Sequence, residues 1–138
     1  MTEPALVKDN ACFVCGPANG RGLQAQFELD PAARAAWSRL TLPDWTQGWQ
    51  GVVHGGILST LLDEVSVHAG RTVGPHPVTA ELTVRFRKPV AVGSTIEVRG
   101  EVVEVRRRLL QVRSWLAIAG ETYVEAEARV MLVRLPID

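Results

Sequence analysis

The sequence lacks the features that mark several large classes of protein. Its 15 Lys and Arg residues balance 15 Asp and Glu residues, so no net charge favours a nucleic-acid or anionic-membrane partner. No apolar run approaches the ~18–20 residues that cross a bilayer. The first ten residues contain two acidic side chains and no apolar segment, so we expect no signal peptide and a cytoplasmic location. The 138 residues, 46% of them apolar, are expected to form a single domain over 1–138.

Cysteine is also scarce, with only Cys12 and Cys15 in the whole chain. A structural zinc site usually takes four ligands, but the sequence has no second C-x-x-C pair and its three histidines are scattered. A thioredoxin-like redox pair would precede a helix, whereas the next twenty residues are typical of strands. We therefore expect two reduced, partly buried thiols in a turn and no metal site.

Hydrophobic periodicity predicts one helix among strands. Apolar residues at three- and four-residue spacing predict a helix from Gly55 to Gly70. Alternating or β-branched segments predict strands over 23–29, 33–42, 78–87, 95–106, 109–119 and 123–134, with hairpin turns at 106–108 and 119–121. Strands joined by short turns are antiparallel, and one helix forms a core with a sheet only if the sheet curls around it. We therefore predict an α+β fold with a five- to six-stranded antiparallel sheet wrapped around one central helix.

The predicted helix carries an unusual stripe around Asp63. A water-exposed helix face normally shows Lys, Arg, Glu and Gln, whereas this stripe combines one carboxylate with small residues, namely Gly56, Ser59, Thr60, Ser66, Val67 and Gly70. Small residues allow a backbone or a ligand to approach closely. The carboxylate is therefore either a partnered structural acid or a functional one.

The start of the helix, His54-Gly55-Gly56, places two glycines where backbone N–H groups have no intrahelical partner. Such groups suit an anion or a developing oxyanion, although the glycines could also simply form a tight turn. Asp63 lies about 10–12 Å further along the helix axis, too far to share a substrate atom with Gly55. If the two act together, two antiparallel copies of the helix must meet in a homodimer with two identical sites.

The stretches 47–64 and 78–89, with His54-Gly55-Gly56 and Asp63 in the first, resemble the hot dog fold acyl-CoA thioesterases. The similarity is to the phenylacetate-degradation and hydroxybenzoyl-CoA thioesterase type. The resemblance implies hydrolysis of an acyl-CoA to the free acid and coenzyme A in dimers that often pair into tetramers. Coenzyme A is part of the substrate, and no other cofactor is implied.

The resemblance also assigns roles to residues of this chain. It makes Asp63 the nucleophile or general base, and Gly55 the oxyanion donor through its N–H. Thr79 would orient the water or the acid, and Gln47 would take the place of an amide that contacts the thioester carbonyl. For His54 itself, we expect an anchor between the loop and the helix or a contact with a substrate amide, rather than the role of the base. The residues expected to bind substrate around this centre are Gln47, His54, Gly56 and Thr79.

Clustered cations suggest where coenzyme A would lie. Arg87 and Lys88 at a strand end, and the triplet Arg106, Arg107 and Arg108 at a turn, could bind its phosphates, although such runs are commonly only solvated. Trp45 and Trp49 could line the acyl pocket or pack in a core or an interface.

Two other functions are compatible with this fold. An enoyl-CoA hydratase would pair an acid with a histidine, but Asp63 and His68 are ~140° apart around the helix, which argues against it. A non-catalytic acyl-CoA-binding protein is the remaining alternative, and release of free thiol from acyl-CoA substrates would distinguish it from an enzyme.

Overall fold

A computed structural model describes residues 6–134 and contains one long helix and six strands. The helix, α1, spans Gly55–Gly70, as predicted, and a 3-10 turn spans Asp44–Thr46. The strands are β1 (Glu28–Asp30), β2 (Ala35–Thr41), β3 (Pro77–Phe86), β4 (Thr95–Arg106), β5 (Leu109–Ile118) and β6 (Glu121–Leu132). They form one antiparallel sheet in the order β1-β2-β4-β5-β6-β3, which confirms the predicted α+β architecture.

The sheet curls around α1, which packs against β2, β3, β4, β5 and β6. Leu61, Leu62 and Val65 are fully buried at this contact, each contributing roughly 1.5–3 kcal/mol of burial free energy. A Cβ on Gly100 of β4 would lie only 3.0 Å from the carbonyl oxygen of Val65, so this glycine lets the strand cross close to the helix. Only Gly56 among the helix residues is exposed, and the rest of the stripe around Asp63 is half-buried or buried.

The predicted first strand over 23–29 is wrong, because β1 contains only three residues. Gln24 has a φ of +52°, which interrupts an extended chain. The N–H groups of Leu23 and Ala25 donate to carbonyl groups of the turn at 12–15 instead of joining the sheet. The apolar alternation is real, since Ala25 is buried, but it reflects packing of a loop on the core.

The hairpins lie where the sequence predicts them. Arg107 between β4 and β5 has a φ of +58°, and Ala119 and Gly120 between β5 and β6 have φ values of +50° and +81°. β4 has its predicted bounds, the remaining strands differ from theirs by one or two residues, and the last strand ends at Leu132 rather than Arg134.

No helix among residues 6–134 combines the length and the apolar character that crossing a membrane requires. The expectations for the first ten residues and for a domain over 1–138 extend beyond the described residues and stay predictions.

Candidate active site

His54 fixes the entry into α1. Its Nδ1 accepts a hydrogen bond from the N–H of Gly56 at 2.8 Å, and its own N–H donates to the carbonyl of Thr46 at 2.8 Å. Its carbonyl oxygen accepts from Ile57 at 2.9 Å. These bonds correspond to the loop-to-helix anchor among the roles expected for His54, and they give the Gly56 N–H an acceptor within the chain.

The backbone N–H of Gly55 differs from the other N–H groups in the first turn of α1. The N–H groups of Gly56, Ile57 and Leu58 all bond to His54, but the N–H of Gly55 has no acceptor among residues 6–134. It borders a shallow cavity of about 360 Å³ lined by Gly48, Trp49, Val53, His54 and Gly55. An unpartnered N–H at the positive end of a 16-residue helix is suited to bind an oxygen that gains negative charge.

Asp63 is held by β3. Thr79 Oγ1 donates to Asp63 Oδ1 at 2.5 Å, and both side chains are half-buried. A β-bulge between Thr79 and Glu81 interrupts the register of β3 with β6 at this point. Asp63 Oδ2 accepts no hydrogen bond from the residues that the structure describes. One carboxylate oxygen is thus oriented while the other remains available to water or substrate.

Asp63 and Gly55 are not brought together within one chain. The helix continues without a break between them, so eight residues separate them by about 12 Å along the axis. Each chain therefore carries an acid and an amide donor that cannot reach one substrate carbonyl.

Gln47 closes the loop before the helix. Its Oε1 accepts from the N–H of Gly51 at 2.7 Å, and residues 47 and 53 form an isolated antiparallel bridge. The side chain is exposed and adjoins Gly48, which lines the cavity at Gly55. Its remaining NH2 group has no acceptor within residues 6–134.

The two cationic groups lie at opposite ends of the sheet. Arg87 and Lys88 follow the end of β3, next to the start of β6, whereas the Arg106–Arg108 turn adjoins the end of β6. The ten residues of β3 span about 33 Å at ~3.3 Å per residue, so one chain does not present both groups to one phosphate.

The first group, Arg87 and Lys88, is also paired with carboxylates of β6. Arg87 bonds to Glu125, and the pKa of that carboxyl lies below its usual range because Arg87 donates hydrogen bonds to it. Lys88 bonds to Glu121, and this hydrogen bond raises the pKa of the ammonium group. In the other group, Arg106 pairs with Glu104 at 3.1 Å.

The two tryptophans differ in environment. Trp49 is 86% exposed beside the cavity at Gly55, whereas Trp45 packs edge-on against Phe13 with ring centroids 6.3 Å apart. Phe86 adds a third exposed aromatic ring next to Gly55.

Sequence reasoning missed a second polar cluster, which lies between the N-terminal turn and α1. Glu64 lies beside Cys12 and Cys15 and bonds to His68 through its Oε1 at 3.1 Å. Because His68 bonds to Glu64, the structure gives no support to the pairing of Asp63 and His68 that an enoyl-CoA hydratase would need. The four-residue spacing of Glu64 and His68 on a helix was the sequence signal for this contact.

Part of the chain is similar to a known protein family and to curated proteins. The family model of the thioesterase superfamily matches residues 50–114, a little under half of the chain, including α1, β3 and β4. The acyl-coenzyme A thioesterase THEM4 of Rattus norvegicus is 27% identical over 94 residues, or 67% of this chain and 40% of that protein. The chain spans about two fifths of the length of the curated relatives it matches.

Solved structures share the fold. A phenylacetic acid degradation-related protein from Ralstonia eutropha has a TM-score of 0.74 at 24% identity, covering 83% of this chain and 89% of its own. A Streptococcus mutans protein solved bound to acetyl CoA has a TM-score of 0.73 at 18% identity, covering 79% and 88%. The sheet wrapped around α1 is thus the hot dog fold, and residues 50–114 within it match the thioesterase superfamily model.

Proposed function

We propose that this protein is an acyl-CoA thioesterase that hydrolyses a thioester to a free acid and coenzyme A. The observation that carries the proposal is the unpartnered N–H of Gly55 on the same helix as a carboxylate, Asp63, that Thr79 orients. The match of residues 50–114 to the thioesterase superfamily model, the activity in the name of the THEM4 relatives and the acetyl CoA in a protein of this fold support the substrate class.

In the proposed reaction, the N–H of Gly55 polarises the thioester carbonyl and stabilises its oxyanion. Asp63 either removes a proton from the attacking water or attacks the carbonyl carbon itself, forming an anhydride that water then opens. In both routes the C–S bond breaks and coenzyme A leaves as a thiolate, which needs no strong general acid. These steps require only the carboxylate, the amide and water, so we propose that hydrolysis needs no added cofactor.

We further propose that the active unit is a homodimer, which itself can pair into a tetramer. β3 is a ten-residue edge strand whose outer backbone groups have no partner within the described sheet, and such an edge favours strand pairing. Asp63 contacts Thr79 near the start of β3, whereas Gly55 lies beside Phe86 at its end. Antiparallel pairing of two β3 strands would therefore bring Asp63 of one copy toward Gly55 of the other.

Thr79 provides a prediction about positioning. Replacement of Thr79 by Val keeps the shape and removes the donor to Asp63, and we expect kcat to fall about tenfold with little change in KM. Thr79→Ser keeps the hydroxyl group and is the matched control, expected to retain most of the activity. Steady-state kinetics of both variants test this, and a Thr79→Val enzyme with the kcat of wild type would contradict the role.

Coenzyme A recognition provides another prediction, because Arg87 and Lys88 lie at the same end of the sheet as Gly55. The double change Arg87→Gln and Lys88→Gln is expected to raise KM for an acyl-CoA about three- to tenfold. The KM for the corresponding N-acetylcysteamine thioester, which has no phosphates, should not change. An equal rise for both substrates would show that these cations do not bind the nucleotide.

The experiment that tests the function itself is release of free thiol from a panel of aliphatic and aromatic acyl-CoA substrates. Turnover by the wild-type protein, with the acyl preference read from the same panel, is the expected result. Saturable binding of acyl-CoA without turnover would instead favour the non-catalytic alternative.

A further inference from the structure

Three potential metal ligands meet between the N-terminal turn and α1. The Sγ atoms of Cys12 and Cys15 and a carboxylate oxygen of Glu64 all lie within 4.8 Å of one another. Cys12 Sγ is 3.6 Å from Glu64 Oε1, and the two residues are 52 positions apart in the chain. The fold, rather than local sequence, therefore assembles the cluster.

The turn around Cys12 is shaped to support a sulfur ligand. The N–H groups of Val14 and Cys15 donate to Cys12 Sγ at 3.4 and 3.5 Å, and the N–H of Gly16 donates to the Cys12 carbonyl at 2.9 Å. A Cβ on Gly16 would lie 2.3 Å from the Cys12 nitrogen, so the turn in this form requires glycine. Backbone N–H donors directed at sulfur stabilise the thiolate that a metal needs.

Glu64 is oriented by a chain of hydrogen bonds from α1. Arg71 Nη1 lies 3.0 Å from His68 Nδ1, and a guanidinium can only donate, so Nδ1 is the acceptor. The proton of a neutral His68 is then on Nε2, which donates to Glu64 Oε1 at 3.1 Å. Phe27 stacks on the imidazole with centroids 4.4 Å apart. Metal-binding carboxylates are typically held in place by outer hydrogen bonds of this kind.

The three ligand atoms are close enough together to share one cation. They all lie within 4.8 Å of one another, and Cys12, Cys15 and Glu64 are each partly buried. A metal binds thiolates and not thiols, so an ion in this cluster would take the place of the two thiol protons.

We propose that Cys12, Cys15 and Glu64 bind a zinc ion that ties the N-terminal turn to α1. Two thiolates and one carboxylate suit zinc better than magnesium or calcium, which prefer oxygen ligands. On binding, two Zn–S bonds and one Zn–O bond form, and the two thiol protons pass to solvent. The fourth position would open to water in the cavity of about 980 Å³ that the cluster lines.

Cobalt titration of the reduced, metal-free protein tests the site directly. We expect one equivalent of Co²⁺ to bind with near-ultraviolet sulfur-to-cobalt charge-transfer absorption and tetrahedral d–d bands, and Zn²⁺ to displace it. Cys15→Ser should lose most of the charge-transfer absorption. His68→Gln, which keeps all three ligands, should weaken binding about 10- to 100-fold. Glu81→Gln, outside the cluster, is the control and should bind as wild type does.

Two further measurements keep the test independent of activity and of how any one variant folds. Zn²⁺ should slow alkylation of both cysteines in the wild-type protein at least tenfold, and it should raise the melting temperature by about 5 °C or more. Absence of both the charge-transfer band and the protection from alkylation would overturn the proposal. A Cys12–Cys15 disulfide that forms in air, with no metal binding after reduction, would also overturn it. Because none of these signals involves thioester turnover, failure here leaves the proposed hydrolysis intact, and the reverse holds too.

Discussion

Asp63→Asn is expected to lower kcat for acyl-CoA hydrolysis by at least ~100-fold, and Asp63→Ala by a similar factor. Asparagine keeps the size of the side chain and an oxygen that can accept from Thr79 Oγ1. It can neither take a proton from water nor form an anhydride. The loss would therefore reflect chemistry rather than packing, and continuous measurement of released thiol would quantify it.

Glu81→Gln is the matched control for Asp63. It removes one carboxylate from exposed β3, next to the bulge at Thr79, and should leave kcat within about threefold of wild type. Wild-type turnover by Asp63→Asn would show that the catalytic acid is elsewhere. After single turnover in ¹⁸O-labelled water, label in the Asp63 carboxylate would identify an anhydride that water opens at the Asp63 carbonyl, because general-base catalysis labels only the product acid.

Removal of the Gly55 N–H is the second change with a large expected effect. Gly55→Pro deletes that donor at the first position of α1, where proline is well tolerated. His54 already has φ −60° and ψ 133°, the extended conformation that a residue before proline prefers, and the lost N–H has no acceptor between residues 6 and 134. We therefore expect a folded protein whose kcat is lower by about 10²–10³.

Gly55→Ala tests whether the N–H group or the lack of a side chain is what matters at this position. It retains the N–H and adds a Cβ that would lie 3.4 Å from the Phe86 ring, an ordinary van der Waals contact. We expect most of the activity to remain, with an unfolding midpoint at least equal to that of wild type, since alanine favours a helix over glycine. Equal losses in the proline and alanine variants would mean that space, not the amide, is what matters at Gly55.

The elements that the sequence predicts best are those whose local signals agree with their tertiary contacts. α1 has a capping residue, a repeating apolar face and a terminal glycine, and its bounds are as predicted. The strand predicted over 23–29 is wrong because an alternation of apolar residues indicates burial of one face and not pairing with a neighbouring strand. Its partner is the turn at 12–15, a contact that no local pattern encodes.

The acid and the amide donor of the candidate site could be predicted from the sequence for a similar reason. Asp63 and Gly55 lie on one helix, so their spacing fixes their separation before any tertiary structure is known. The contact of Asp63 with Thr79 followed from the family resemblance, and the structure supplies its hydrogen bond. The cluster of Cys12, Cys15 and Glu64 escaped prediction because its members come together only when a loop folds onto the helix.

Mixing two inactive variants tests most directly whether one site draws on two chains. A hybrid dimer of Asp63→Asn and Gly55→Pro chains would contain one site that lacks both groups and one that is intact. After unfolding and refolding of an equimolar mixture, random pairing should restore about a quarter of wild-type activity. A mixture that forms hybrid dimers yet stays as inactive as its components would contradict a shared site.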